Sequence, residues 1–299
     1  MCCLWSTDLL AKSNDYSYRD YPSPDRQSVP SVYRQTGPKV HRVDSYSRRA
    51  ESDVLYTPHT TEGLRYVHVT MSPDKEKRLE EIRRNSHNLP APKFKKLIDG
   101  KHPAVVRISV DGGSNTFYHG SGTLVSVKGD EGIVITNWHV IRDRVGEVSV
   151  RFPDGFVSKA KVLKIDKTWD LAALSIARPK VKPVKLSAEI PKIGDVLTIA
   201  GYASGDYRHA TGRMLQFCSP GTTEPAEILE ITTAARNGDS GGPIFAKDGT
   251  LAGVLFGSAS GTTNGSHSGR VRRFLKPVIA QVASADEKQN DVRPASYVE

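Results

Sequence analysis

The chain has 299 residues and a formal net charge of +9, and 37% of its residues are hydrophobic. This composition supports one sizeable core, and no run approaches the roughly 18 apolar residues that cross a bilayer, which argues against a transmembrane segment. The excess positive charge is divided almost evenly between the first hundred residues and the rest, which argues against a basic arm that binds nucleic acid. The opening residues lack the basic flank and apolar run of a secretory signal, so the compartment stays unknown and the cytoplasm is the default expectation.

The first part of the chain has the composition of a disordered tail. Residues 11–69 are rich in Ser, Pro, Arg, Asp and Tyr and keep no helical or strand period. A short helix is predicted from Pro73, with Ser72 as its N-cap, to about Arg84. We therefore expect a disordered tail over residues 1–70, a linker with a short helix over 71–94, a folded domain over 95–285 and a flexible tail over 286–299.

From residue 102 onward the chain becomes a series of short β-branched runs separated by Gly, Pro and Asp turns. The predicted strands are 104–110, 122–127, 132–136, 148–152, 160–165, 171–176, 196–200, 213–217, 227–232, 243–246 and 251–256. So many short strands without helices between them indicate barrels or a sandwich. The segment 269–282 is the exception, because its apolar residues recur at helical spacing around Pro277, a candidate kink.

The three cysteines argue against a fold that depends on disulfides. Cys2 and Cys3 are adjacent and fall in the predicted tail, which leaves Cys218 by itself. We expect Cys218 to be a buried structural thiol, since it ends a strand-like run. The sequence contains neither a cluster of metal ligands nor a phosphate-binding loop, so we expect no metal and no cofactor.

Three separated segments carry the groups that activate a serine nucleophile. Residues 136–140 read Thr-Asn-Trp-His-Val, residues 169–174 read Trp-Asp-Leu-Ala-Ala-Leu, and residues 237–244 read Asn-Gly-Asp-Ser-Gly-Gly-Pro-Ile. A serine hydroxyl is a weak nucleophile until an imidazole takes its proton, and the imidazole needs a carboxylate to fix its tautomer. The segments supply these groups as His139, Asp170 and Ser240. An exposed turn aspartate is the alternative reading of Asp170.

The three segments resemble those of trypsin-like (chymotrypsin-fold) serine peptidases, and the likeness covers residues 95–285. The intervals of 31 and 70 residues between the three candidates are closer to compact bacterial Deg-type (high-temperature-requirement) peptidase domains. Only 59 residues follow Ser240, so we expect no PDZ module. The resemblance implies an all-β fold of two six-stranded antiparallel β-barrels with a C-terminal helix. It also implies a serine endopeptidase that acts on protein or peptide substrates through His139, Asp170 and Ser240.

The resemblance implies an oxyanion hole beside the nucleophile. Its donors are the backbone amides of Gly238 and Ser240, which face the negative oxygen of a tetrahedral intermediate.

A specificity pocket is expected next to the same loop. By resemblance its walls are Ala234, Ala235, Phe256 and Gly257, and their size and apolar character favour small or medium apolar P1 residues. Arg236 lies nearby and could select acidic residues, although a solvent-facing arginine is the simpler interpretation.

Two other classes of function stay open. One is a binding or chaperone-like protein on a catalytically idle peptidase fold, which would require a broken triad or a collapsed oxyanion loop. The other is a nucleic-acid-associated protein, because the predicted tail interleaves Tyr and Arg as a stacking surface for single strands would. The oligomeric state and the physiological substrate do not follow from the sequence.

Overall fold

The computed structural model describes residues 58–59, 66–67, 73–86, 89, 94, 97–203, 205–259 and 261–291. Most of the predicted tails, including Cys2 and Cys3, therefore lie outside the described residues. Within the first predicted tail, strand β1 (Pro58–His59) pairs antiparallel with β2 (Tyr66–Val67). Helix α1 (Pro73–Arg84) covers the predicted helix, and its Leu79 is buried.

Two closed antiparallel barrels of six strands each form the body of the protein, which confirms the predicted fold class. The first barrel has the order β3-β4-β5-β8-β7-β6. Its strands are β3 (Val105–Gly113), β4 (Thr116–Lys128), β5 (Glu131–Thr136), β6 (Val148–Arg151), β7 (Val157–Asp166) and β8 (Leu171–Ala177). Helix α2 (Trp138–Ile141) is a single turn after β5.

The second barrel has the order β10-β11-β14-β13-β12-β9. Its strands are β9 (Val196–Gly201), β10 (Arg208–Cys218), β11 (Ile228–Ile231), β12 (Pro243–Phe245), β13 (Leu251–Ala259) and β14 (Thr262–His267). A buried apolar cluster includes Leu197, Ile199, Met214, Leu229, Ile231, Ile244, Ala252 and Leu255. Cys218 ends β10 and is only half-buried, against the prediction of a buried thiol.

Helix α3 (Ser268–Asp291) closes the fold and extends the predicted helix at both ends. It contacts strands of the first barrel (β4, β7 and β8) and strands of the second (β13 and β14). Its buried side chains follow the helical period that the sequence shows: Val271, Phe274, Leu275 and Val278. The helix therefore packs across both halves of the molecule.

Strand β14 is the barrel strand that the sequence analysis missed. Its residues read Thr-Thr-Asn-Gly-Ser-His, a composition typical of a turn, yet all six are buried. Backbone pairing with β11 and β13 on its two sides makes it a central strand. Pairing with these two neighbours, and not the hydrophobicity of its own residues, therefore makes this segment a strand.

Candidate active site

The antiparallel pairing of β5 and β8 brings His139 and Asp170 together. Thr136 at the end of β5 lies opposite Ala172 near the start of β8. The chain leaves β5 into the single turn of α2, which carries His139, while Asp170 directly precedes β8. These two residues, 31 positions apart in the sequence, thus meet at one end of the first barrel.

Two hydrogen bonds fix the histidine on the carboxylate. Asp170 Oδ2 lies 2.5 Å from His139 Nδ1, and Asp170 Oδ1 accepts a hydrogen bond of 2.8 Å from the His139 backbone N–H. With its Nδ1–H directed at a carboxylate oxygen, a neutral imidazole leaves Nε2 free of a proton, as a general base requires. The pair is partly buried, so water does not fully screen it.

Neighbouring side chains hold the backbone around Asp170 in an uncommon conformation. Asp170 has a φ of +50°, in the left-handed region that non-glycine residues rarely adopt. Asn137 Nδ2 donates to the Asp170 carbonyl at 2.7 Å, and Ser266 Oγ of β14 donates to the Trp169 carbonyl at 2.9 Å. The Arg270 guanidinium of α3 lies 4.0 Å from the centre of the Trp169 ring. Contacts from both barrels and the helix therefore position the carboxylate, and none of these three side chains was anticipated from the sequence.

The loop before β12 presents Ser240 at the end of a tight turn. The turn spans residues 236–239, and the Asp239 N–H donates to the Arg236 carbonyl at 3.0 Å. Of its two central residues, Gly238 has a positive φ of +87° and Asn237 does not, which defines a type II turn. A Cβ on Gly238 would lie 2.4 Å from the Ala203 carbonyl oxygen, so both the conformation and the space require glycine.

Ser121 of β4 joins this loop to the first barrel. Its backbone N–H donates to the Ser240 carbonyl at 2.7 Å, and its hydroxyl donates to the Gly238 carbonyl at 2.8 Å. The same hydroxyl accepts from the Tyr202 N–H at 2.9 Å, and Ser121 is fully buried. The sequence analysis missed this residue, because a serine between two glycines in a strand carries no distinctive signal.

His139 and Ser240 approach the same place from different barrels. A Cβ on Gly120 would lie 2.6 Å from a methyl carbon of Val140, the neighbour of His139, and 3.3 Å from the Ser240 carbonyl oxygen. Among the hydrogen bonds of the described residues, none joins the Ser240 hydroxyl to the His139 ring. Such contacts are often long in a site without substrate and tighten when substrate binds.

Asp239, next to the candidate nucleophile Ser240, is a buried carboxylate paired with Arg236. Its side chain is 3% exposed, and Arg236 Nη2 lies 3.0 Å from Asp239 Oδ1. The expectation of a solvent-facing arginine is therefore wrong. A carboxylate that is almost completely desolvated attracts the nearest cation strongly, and Arg236 is three residues away.

The residues expected to form the specificity pocket lie around β13 and the start of the same loop. Ala234 is exposed, and the Ala235 N–H donates to Thr263 Oγ1 at 2.9 Å. Phe256 and Gly257 are half-buried in β13, and Gly257 lies opposite Asn264 of β14. Because β14 was missed, its buried Thr263 and Asn264 were absent from the predicted surroundings of the pocket.

Two other kinds of site are missing from the part of the chain that the structure describes. No group of three or more His, Cys, Asp or Glu side chains there is arranged to hold a metal ion. None of the helices there is both long enough and apolar enough to span a bilayer.

The chain is similar to proteases of several organisms. It is 34% identical over 146 residues to Protease Do-like 1, chloroplastic, of Arabidopsis thaliana, which is 45% of this chain and 33% of that protein. It is 29% identical over 197 residues to Serine protease HTRA2, mitochondrial, of Bos taurus, which is 60% of this chain and 42% of that protein. The chain thus spans well under half the length of these curated relatives.

Solved structures share the fold. The active form of the Rv3671c protease from M. tuberculosis matches 63% of this chain and 93% of its own, with a TM-score of 0.52 and 24% identity. The serine endoprotease from Yersinia pestis matches 71% of this chain and 68% of its own, with a TM-score of 0.50 and 22% identity. Residues 120–254 match the family model of the trypsin-like peptidase domain. They contain His139, Asp170 and Ser240, and this part of the chain is thus similar to a trypsin-like peptidase domain.

Proposed function

We propose that the domain is a serine endopeptidase with a catalytic triad of His139, Asp170 and Ser240. The observation that carries this proposal is the pair of hydrogen bonds from the ring and the backbone of His139 to the two oxygens of Asp170. A structural histidine does not need both contacts, whereas a general base needs its tautomer and its orientation fixed. The similarity of residues 120–254 to a trypsin-like peptidase domain supports the same assignment for Ser240.

In the proposed mechanism, Nε2 of His139 accepts the proton of the Ser240 hydroxyl as its oxygen attacks the carbonyl carbon of the scissile peptide bond. Asp170 remains ionised and stabilises the imidazolium that forms. The imidazolium then protonates the leaving amine, which gives an ester between Ser240 and the acyl half of the substrate. Water hydrolyses the ester by the same steps in reverse order, with His139 again as base.

The oxyanion of each tetrahedral intermediate is proposed to bind the backbone N–H groups of Gly238 and Ser240. The carbonyl groups of both residues already accept hydrogen bonds from Ser121, on the side of the first barrel. These contacts hold the loop that carries both amides against β4 before substrate binds. Preorganised donors of this kind stabilise the transition state without reorganisation during the reaction.

The pocket is proposed to prefer small or medium apolar P1 side chains. The four residues assigned to its walls, Ala234, Ala235, Phe256 and Gly257, carry no charge. Arg236 is occupied by the buried Asp239 carboxylate, which argues against its use as an anchor for acidic substrates. Proteins or peptides with such residues are the proposed substrates.

Labelling of the purified chain with a fluorophosphonate probe tests the nucleophile. The wild-type chain should be labelled, and S240A and H139A should each lose labelling. Ser149, in β6 of the first barrel, offers a matched control, and S149A should label like the wild type. Persistent labelling of S240A would reassign the nucleophile, and an unlabelled, folded wild type would favour an idle peptidase fold that binds proteins.

The P1 preference needs a separate measurement. Cleavage of a peptide library by the full chain should give products that end in Ala, Val or Leu. Products that end mainly in Lys, Arg, Asp or Glu would refute an apolar pocket and leave the triad assignment intact.

A further inference from the structure

The type II turn over residues 236–239 determines where the Gly238 amide points. A type I turn can also connect Arg236 to Asp239, but in that turn the peptide group between Asn237 and Gly238 has the opposite orientation. The N–H of Gly238 would then point away from the side on which it points now. The donor pair proposed for the oxyanion therefore exists only while the turn keeps its type II form.

The two ends of this turn are joined by their own side chains. Arg236 Nε lies 3.2 Å from Asp239 Oδ2, and Arg236 Nη2 lies 3.0 Å from Asp239 Oδ1. The backbone N–H of Arg236 donates to Asp239 Oδ2 at 2.8 Å as well. This two-point contact between a guanidinium and a carboxylate fixes both distance and orientation, which a single charge contact would not.

The same guanidinium ties the turn to the loop that it packs against. Arg236 Nη2 also donates to the Asp206 carbonyl at 2.9 Å, in the loop between β9 and β10. That loop in turn donates the Ala203 N–H to Asp239 Oδ1 at 3.1 Å, and the Ala203 carbonyl lies over Gly238. Arg236 therefore connects the turn and the Asp239 carboxylate to the loop that packs against Gly238.

We propose that Arg236 is a positioning residue that keeps the 236–239 turn in its type II form, and with it the oxyanion donors. This inference rests on the proposed peptidase function and adds a positioning residue to it. Every partner of Asp239 that we describe belongs to the folded domain itself. The contacts that hold the Asp239 carboxylate therefore come from the turn itself and from the segment 203–208.

The test compares R236A and R236K with the wild-type full chain. Arg213 is the matched control, since it also lies in the second barrel and donates to a backbone carbonyl, that of Gly194 at 3.0 Å. Peptide hydrolysis, the rate of fluorophosphonate labelling and thermal unfolding are measured for each variant. R236A should lose about 100-fold or more in kcat, the size of effect seen when one oxyanion donor is removed, with KM changed by only about twofold. R213A should keep the wild-type kcat.

Chemical rescue distinguishes positioning from general damage. Added methylguanidine should restore part of the kcat of R236A, because it can occupy the space left beside Asp239, and should not change R213A or S240A. The lysine of R236K keeps the charge but cannot bridge both carboxylate oxygens and the Asp206 carbonyl. We expect R236K to melt close to the wild type and to lose about tenfold in kcat, part of the effect of losing a donor.

The outcomes separate this inference from the function on which it rests. A wild-type chain that neither labels nor cleaves peptides overturns both. A wild type that is active beside a folded R236A with unchanged kcat, or with only a lower melting temperature, overturns the role of Arg236 alone. If R236A does not fold, R236K decides: full activity in that variant overturns the inference, and a lower kcat at an unchanged melting temperature supports it.

Discussion

The Ser121 hydroxyl donates a hydrogen bond of 2.8 Å to the Gly238 carbonyl, although the two residues are 117 positions apart and belong to different barrels. The first barrel thus supplies His139 and Asp170 and also holds the loop that presents Ser240. Substitutions at Ser121 should consequently affect both stability and activity.

The variant S121A tests this link. It leaves the Gly238 carbonyl and the Tyr202 N–H without their buried partner, which should lower the free energy of unfolding by about 1–3 kcal/mol. The loop that carries Gly238 and Ser240 would also be held less firmly against β4, so kcat should fall by about tenfold, part of the loss that follows removal of an oxyanion donor. Urea unfolding and peptide hydrolysis measure the two effects, with S149A as the control. Unchanged kcat in a destabilised S121A would limit Ser121 to a structural role.

The variant D170N tests the pairing with His139. An amide group keeps the size of the carboxylate but offers an N–H where His139 Nδ1 needs an acceptor, so the imidazole should adopt the wrong tautomer. We expect kcat to fall by about 10⁴-fold with little change in the melting temperature. Peptide hydrolysis and calorimetry provide the measurements. A loss below about tenfold would mean that Asp170 only supports the loop.

The variant G238A tests the space at the turn. A methyl group there would meet the Ala203 carbonyl at 2.4 Å, and the φ of +87° is unfavourable for alanine. The turn should leave its type II form, and kcat should fall by about 100-fold or more. G249A, at an equally positive φ in an open turn, provides the control for backbone strain alone. Equal activity of G238A and G249A would contradict the proposed donor.

His102 should make the fold sensitive to acid. Burial lowers the pKa of His102 to about 4 from an ordinary value of 6.5, and its Nδ1 accepts a hydrogen bond from the Ala104 N–H in the neutral form. Because the unfolded chain binds this proton more tightly, stability should fall as pH decreases from 6.5 to 4 and show no further loss from this group below 4. The full effect is about 3 kcal/mol.

Unfolding by urea at several pH values measures this effect. The variant H102Q should lose the part of the pH dependence between 6.5 and 4, and H209Q serves as a control on a neighbouring histidine. An identical pH dependence in wild type and H102Q would show that other groups cause the acid sensitivity.

Local sequence patterns predicted much of this fold, and the reason is clear from β8. Its residues 171–176 are apolar except for Ser175, and the structure buries all six. Strand β14 shows the limit of such patterns, since its polar residues are buried by neighbours that come from elsewhere in the chain. Burial determined by tertiary pairing leaves little trace in a six-residue window.

The site follows the same division. His139, Asp170 and Ser240 could be proposed because their chemistry restricts the residues around them in the sequence. Ser121 acts through backbone carbonyls, and Arg236 acts through a buried carboxylate. The sequence around these two positions is compatible with many residue types and so does not reveal the contacts. Only the three-dimensional arrangement shows that Arg236 points inward.

Through the contact between Arg270 and Trp169, the C-terminal helix supports the segment of the first barrel that carries Asp170. Glu227, just before β11, holds the same guanidinium at 2.6 Å, so the arginine is braced from the second barrel while it covers the residue next to Asp170. Truncation of the chain before residue 268 would remove both of these contacts. A shortened chain therefore has to retain the closing helix if the surroundings of Asp170 are to stay intact.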